Sequence, residues 1–382
     1  MSKPSILIPV GLPGAGLHGV GFVPCRGSDA THQKIEMLAQ AMRGLDMDVA
    51  VAPIDAAASY QKVDMVIFPL AADTLDSPAA FRDVERLYHI PAGLRVGLVG
   101  GSFEALNWPR RAGTANDNMA ADHDAGLIPP LDAMVVLGDE RLVKLPAAVC
   151  RRMGAAHIHF VGYASRDDWA GISPPQSRIG AAPAPVIVHA DNPDVMAAVA
   201  EAWPSTQMGL IGRPWHFLFR DAPDHSSAHR WLRLAFEISR DRVEAQRAAS
   251  GCSFQDELRG ASRDELRDLL RRAALSISSA EPERIKDALA AARVRRQGRP
   301  LLMPVDAVQR QYCAQLQKLE AAAVVGFEPR KRDLAAAIDR AFDSAFDTGP
   351  AVPVRFATVE DVAGFLRDMG RARLPKPRMA QP

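Results

Sequence analysis

Cysteine, net charge and long apolar runs are all scarce in this sequence, and each shortage removes a class of protein. The four cysteines, Cys25, Cys150, Cys252 and Cys313, are far apart in a chain of 382 residues. No Cys-x-x-Cys and no metal-ligand spacing occurs, so a disulfide scaffold and a cysteine-held zinc site are excluded and the thiols read as reduced. Lys and Arg number 46 against 45 Asp and Glu, a formal net charge of +1. Balance of that kind gives no electrostatic case for a nucleic-acid partner, although Arg293–Arg299 is a local cationic cluster. No stretch reaches the roughly 18 apolar residues of a membrane-spanning helix. The opening MSKPSILIPVG is too short an apolar run before its glycines to be a secretion signal, so a cytoplasmic protein is expected. Short-period repeats are also absent.

With 48% hydrophobic and 24% charged residues, the composition is that of an ordinary globular protein. Its length suits two domains. Ser5–Val10, SILIPV, reads as a buried strand and runs into a loop with glycines at 11, 14, 16, 19 and 21. Such glycines let backbone approach a ligand and leave amides free to cradle an anion or a sugar. Asp29-Ala30-Thr31 then caps a helix from about His32 to Leu45, with Ile35, Leu38, Met42 and Leu45 on one face. Val49–Pro53 completes a βαβ unit. Further strands read at Val63–Pro69, Leu94–Gly100, Leu131–Leu137 and His157–Val161, with helices at Pro78–Leu87 and Pro146–Met153. Alternation of this kind predicts a doubly wound parallel sheet.

Ala164–Pro185 is rich in Pro, Gly and Ala, as a linker is. The expected organisation is a Rossmann-like domain over 1–165, a linker over 166–185, a second Rossmann-like domain over 186–370 and a loose basic tail over 371–382. Within the second half, strands read at Val186–His189, Met208–Gly212 and Leu275–Ser278. The segment 221–251 reads as an Arg-rich helix, and Ser262 with Glu265 forms a capping box opening another. Gly298-Arg299-Pro300 then punctuates a helix end. Leu301–Pro304 is a short buried strand, Val305-Asp306 a polar loop, Gln309 to Gln317 a Gln-rich helix, and Val324-Val325 a second strand. This unit sets polar side chains where the carboxyl end of a parallel strand opens into a ligand crevice. A helix over 333–345, a strand over 351–356 and a helix over 358–369 close the chain.

Strand, Pro, Asp, then Gln-x-Gln-Tyr opening a helix resembles the donor half of the GT-B glycosyltransferases, especially the MurG-type enzymes. The resemblance implies two Rossmann-like doubly wound domains facing across a cleft, and transfer of a sugar from a nucleotide-diphosphate-sugar to an acceptor hydroxyl. It makes Asp306, Gln309 and Gln311 donor-sugar candidates, sets Ser279 and Asp287 where the family has its glycine turn and ribose carboxylate, and gives Arg213 the leaving diphosphate. On the acceptor side it points to Gly14, Gly16 and Gly19, to the polar segment with Glu104 and Asn107, and to His18 or His32 as general base, histidine titrating near working pH. Chemistry of this kind needs no metal and no cofactor beyond the nucleotide-sugar co-substrate. The acceptor is a small molecule or a lipid-linked one, and peripheral contact with a membrane face goes with the latter.

The departures fall on chemistry. The loop after the first donor-domain strand reads His189-Ala190-Asp191-Asn192-Pro193-Asp194, without glycine, with a proline that removes an amide and with carboxylates that repel phosphate. Ser278-Ser279-Ala280-Glu281 likewise lacks the family's glycine. A GT-B-derived binding or scaffold protein is therefore a second reading. A dinucleotide-binding oxidoreductase is a third; Asp55 stands near its acidic position, but Pro24–Ser28 interrupts the required glycine-to-helix junction.

Overall fold

A computed structural model describes residues 4–10, 28–57, 59–71, 87–100, 131–143, 145, 147–154, 157–164, 184–190, 192–207, 213–219, 227–248, 256–295, 299–326, 329–346 and 354–373. The chain divides into two compact units, residues 1–167 with 355–382, and residues 168–354.

Unit 1 is built on strands β1 (Ser5–Val10), β2 (Asp48–Pro53), β3 (Val63–Ala71), β4 (Ala92–Gly100), β5 (Ala133–Leu137) and β6 (Ile158–Phe160), in the order β2-β1-β3-β4-β5-β6. All pairs are parallel; Ile6 lies beside Val49 and Met65, for example. Strands buried on both faces read as unbroken apolar runs, which is why Val66-Ile67-Phe68 and Val135-Val136 were visible without alternation. Helix α1 (Ser28–Gly44) follows β1, and the short α2 (Ile54–Ala57) and α3 (Ala147–Met153) follow β2 and β5. The sheet crosses over between β1 and β3. The helix expected at Pro78–Leu87 lies almost wholly outside the described residues.

The end of the chain belongs to unit 1. The second domain was expected over 186–370, whereas residues 355–373 group with unit 1 and pack on the first sheet. Strand β14 (Phe356–Ala357) pairs with β7 (Tyr163–Ala164), and helix α10 (Val359–Arg373) packs on α1. Val362, Ala363 and Leu366 join Ile6, Met42 and Met65 in one core. At Gly370 a Cβ would stand 2.9 Å from the Met65 methyl, so a larger residue there would make that flexible side chain move aside. Gly162 turns the chain at φ +103°, where a side chain would press on Arg355 and Phe356. Asp139, 2% exposed, fastens this return by accepting from the Arg141 Nε and Nη2 and from the Arg355 backbone N–H at 2.9 Å. Burial works to raise its pKa, but the Arg141 and backbone hydrogen bonds prevail and hold the carboxyl below its usual range. Residues 374–382, most of the expected tail, lie outside the described set.

Unit 2 carries β8 (Val186–His189), β9 (Trp215–Phe219), β10 (Glu257–Gly260), β11 (Leu275–Ser279), β12 (Leu301–Met303) and β13 (Ala323–Val324), in the order β10-β9-β8-β11-β12-β13. Numbered within the unit this is 3-2-1-4-5-6, the Rossmann order. Residues 208–212, the expected second strand, lie outside the described set; the strand beside β8 is the later WHFLF. Between the strands run α4 (Pro193–Ala202), α5 (Ser227–Ala248), α6 (Arg263–Arg272), α7 (Pro282–Arg295), α8 (Ala307–Lys318) and α9 (Lys331–Phe346). One face of the sheet sends Val186, Val188, Leu275, Ile277, Leu301 and Met303 into a core centred on Trp203, Trp215, Phe217 and Phe236. Those rings lie 5.3–6.2 Å apart, tilted, stacked and edge-on as aromatic quadrupoles prefer. Alternation sends Ile187, His189, Ser276 and Ser278 to the opposite face.

Candidate active site

In a doubly wound sheet, ligands bind beyond the carboxyl ends of the strands where strand order reverses. In unit 2 that point lies between β8 and β11, where His189, the last residue of β8, pairs with Ser278, the last but one of β11. Three helices begin along this edge: α4 after β8, α7 after β11 and α8 after β12. Their first-turn amides carry the positive ends of the helix dipoles and favour an anionic ligand.

Most of the polar groups there already have partners. Asn192 caps α4, its Oδ1 accepting from the Asp194 N–H at 2.8 Å, and Pro193 follows, which has no N–H to give. Ser279 Oγ hydrogen-bonds the Glu281 carboxylate, and Tyr312 donates its hydroxyl to the Ala280 carbonyl. Asp306 caps α8 by accepting from the Gln309 N–H at 2.7 Å, while Gln309 Oε1 accepts from the Val305 N–H at 2.8 Å. This is a capping arrangement that fixes the entry to the helix. Gln311 stands exposed one position past Arg310 on the same first turns. Ser279, Asp306, Gln309 and Gln311 therefore flank two neighbouring strand ends, β11 and β12.

Asp287 and Arg213 stand elsewhere. Asp287 is buried on α7, where its carboxylate faces Arg267 of α6 at 3.5 Å. Arg213 precedes β9, and its guanidinium donates to the carbonyl of Ala184, which precedes β8. Both lie at the amino edge of the sheet, because Val186 pairs with Trp215 in parallel register. Four or five residues of strand, about 13–16 Å, separate Arg213 from the carboxyl edge. Arg213, expected at the leaving diphosphate, thus stands at the amino edge, with its cation over the Phe342 ring at 4.9 Å.

His189 and Arg284 were not singled out from the sequence. His189 is fully buried at the end of β8, with no hydrogen-bond partner at either ring nitrogen among the described residues. Burial, reinforced by the nearby Arg284 cation, drives its pKa well below the usual value, so the ring is neutral. The unfolded chain takes up that proton near pH 6.5 and the folded one does not. Stability is therefore complete above pH 6.5 and declines as pH falls below it, with a limiting slope of about 1.4 kcal/mol per pH unit. Thermal melts from pH 7.5 to 5 are expected to fall more steeply for the native protein than for His189→Leu; parallel curves would show that the ring takes its proton in the folded state.

In unit 1 the corresponding edge is bounded by Val10 and Ala71, the last residues of β1 and β3. Gly14, Gly16, Gly19 and His18 lie outside the described residues, as do Glu104 and Asn107. His32 lies in α1, and its side chain is not among those described. Among the described residues no group of three or more His, Cys, Asp or Glu gathers as a metal site, and no helix is long and apolar enough to cross a membrane.

No protein-family description matches the sequence, and no curated protein is similar to it. Solved structures do resemble it in fold. Sucrose-phosphate synthase from Thermosynechococcus elongatus aligns over 97% of this chain and 99% of its own, with 10% identity and a TM-score of 0.51. MurG from Acinetobacter baumannii aligns over 96% of this chain and all of its own, at 10% identity and a TM-score of 0.48. The glycosyltransferase VinC, in complex with dTDP, aligns over 96% and 100%, at 13% identity and 0.46. Two six-stranded parallel domains, the second in Rossmann order and with the chain's last helix returned to the first, give this protein the GT-B glycosyltransferase fold.

Proposed function

We propose that this protein is a glycosyltransferase that takes its sugar from a nucleotide-diphosphate-sugar and passes it to an acceptor hydroxyl without a metal. The observation that carries the reading is the convergence of the α4, α7 and α8 N-termini on the switch-point edge of unit 2. The acceptor oxygen attacks the anomeric carbon as the bond from that carbon to the diphosphate oxygen breaks. His18 or His32 takes the hydroxyl proton, and helix N-terminal amides meet the charge that develops on the leaving diphosphate. Gln311, Asp306 and Gln309 hold the sugar, with Ser279 buried behind them at the end of β11. Gly14, Gly16, Gly19, Glu104 and Asn107 receive the acceptor, a small molecule or a lipid-linked one presented at a membrane face, in a cytoplasmic setting.

One observation favours a second reading, a binding or scaffold protein that keeps the fold and has lost the donor. The Ser279–Glu281 and Asp306–Gln309–Val305 hydrogen bonds close the two best-placed turns on themselves. Calorimetric titration with UDP, GDP, dTDP and their sugars separates the two. Saturable binding of one nucleotide is expected, weakened about tenfold by Gln311→Ala with the melting temperature unchanged, since Gln311 is exposed and packs nothing. Absence of binding to all of them at millimolar ligand would leave the scaffold reading.

A further inference from the structure

Helix α5 carries an apolar stripe on its outer face that stays exposed among the described residues. Its inner face, with Leu232, Ala235, Phe236 and Val243, is buried in the core of that unit. Trp231, Leu234 and Ile238 point the other way and are 51%, 47% and 43% exposed. Spacings of three and four residues put them on one line along the helix. The other exposed large apolar residues among those described, Tyr60, Tyr88 and Val308, are isolated on separate elements. An isolated one is ordinary, whereas an aligned set marks a contact surface.

The charges beside the stripe indicate what covers it. Arg230 and Glu237 are seven residues apart and so share one flank. Neither they nor Arg233 forms an ion pair among the described residues, although Arg233 and Glu237 are spaced for one; Arg240, by contrast, is taken up by Glu244 at 3.6 Å. In an antiparallel pair of identical helices, like flanks face each other. If the two-fold axis passes beside Leu234, Trp231 of each helix packs on Ile238 of the other, and Glu237 of each lies within one residue of Arg230 of the other. An anionic membrane surface would instead call for an unbroken cationic flank. Glu237, Asp241 and Glu244 interrupt it here.

We propose that α5 is a homodimer interface, pairing antiparallel with α5 of a second copy through Trp231, Leu234 and Ile238 and two symmetric Arg230–Glu237 ion pairs. Such a contact is isologous and closes at two copies. One helix pair alone covers less than the roughly 800 Å² per partner of a standard stable interface, so the dimer is expected to dissociate on dilution.

Sedimentation velocity across a dilution series tests this on the full chain. A monomer–dimer equilibrium is expected. Leu234→Glu should abolish it without lowering the melting temperature, because the residue is exposed and supports nothing inside its own unit. Arg230→Glu and Glu237→Arg should each raise the dissociation constant about tenfold. The double exchange should restore it, which a merely unfolded or sticky variant cannot do. A protein monomeric at every concentration overturns the proposal, as does a dimer indifferent to Leu234→Glu or a double variant that stays weak. Co-sedimentation of a monomeric protein with phosphatidylserine vesicles, lost in Leu234→Glu, would give the surface to a membrane instead.

Discussion

Asp256→Ala is expected to lower the stability of unit 2 by about 3–5 kcal/mol, because it breaks the buried Arg247–Asp256 ion pair. Arg247 is 2% exposed in the last turns of α5, and its Nη1 reaches Asp256 Oδ2 at 2.7 Å. The same carboxylate accepts from the Trp215 N–H at 2.8 Å, and Arg247 also donates to the Arg213 carbonyl at 2.9 Å. One ion pair therefore ties the end of α5, the start of β9 and the approach to β10 at the amino edge of the sheet. Removing the carboxylate takes its opposite charge from a buried cation and its acceptor from a buried backbone N–H. For a unit of this size the loss corresponds to a fall of roughly 10 °C in melting temperature. Differential scanning calorimetry reads it directly. Replacing both partners by apolar residues, Arg247→Met with Asp256→Leu, should recover the part of the loss that comes from the buried charge, while the Trp215 N–H and the Arg213 carbonyl stay without the partners they had. A single variant that melts within about 2 °C of the native protein would mean that the pair is hydrated and contributes as little as a surface one.

How far the sequence discloses the structure depends on where each signal resides. Strands buried on both faces, such as β1, β3 and β12, declare themselves as apolar runs, and with them the parallel sheets. Asp306 and Ser262 announce helix starts because a cap is a local device: Asp306 binds the Gln309 N–H and Ser262 the Glu265 N–H, each three residues on. β10 announces nothing. Its residues Glu257–Gly260 carry hardly any apolar pattern, and it holds its edge position by pairing with β9 and by ion pairs of Arg259 with Glu257 and Glu265, both at 2.7 Å. The return of α10 to unit 1 was equally silent, because Val362, Ala363 and Leu366 suit either sheet and only long-range packing decides between them. Arg213 was misplaced for a related reason: Gly-Arg-Pro reads as the end of a strand at 208–212, whereas β9 starts after it. At the candidate site, residue types and the edge they occupy were legible. The burial of His189 and the pairing of Asp287 with a residue on another helix were not, since neither leaves a trace in spacing.

Asp287 shows what that difference means for function. By position it stands where a ribose-binding carboxylate is expected, yet it is 5% exposed and faces Arg267, itself 5% exposed, across the α6–α7 packing. A carboxylate that neutralises a buried guanidinium is committed to the fold. Asp287→Ala is accordingly expected to destabilise unit 2 by about 3 kcal/mol through loss of the buried Arg267–Asp287 pair. It should leave the nucleotide affinity of the folded protein within about twofold, below half a kcal/mol. Chemical denaturation and calorimetric titration of the same preparation separate the two quantities. The double variant Arg267→Leu with Asp287→Leu should regain stability and still bind. A Kd raised tenfold or more with the unfolding midpoint unchanged would reverse the assignment, and ribose recognition would then come from α7. Should stability fall and affinity hold, the donor must be read by groups the fold leaves uncommitted, which on this edge means Gln311 and the helix amides around it.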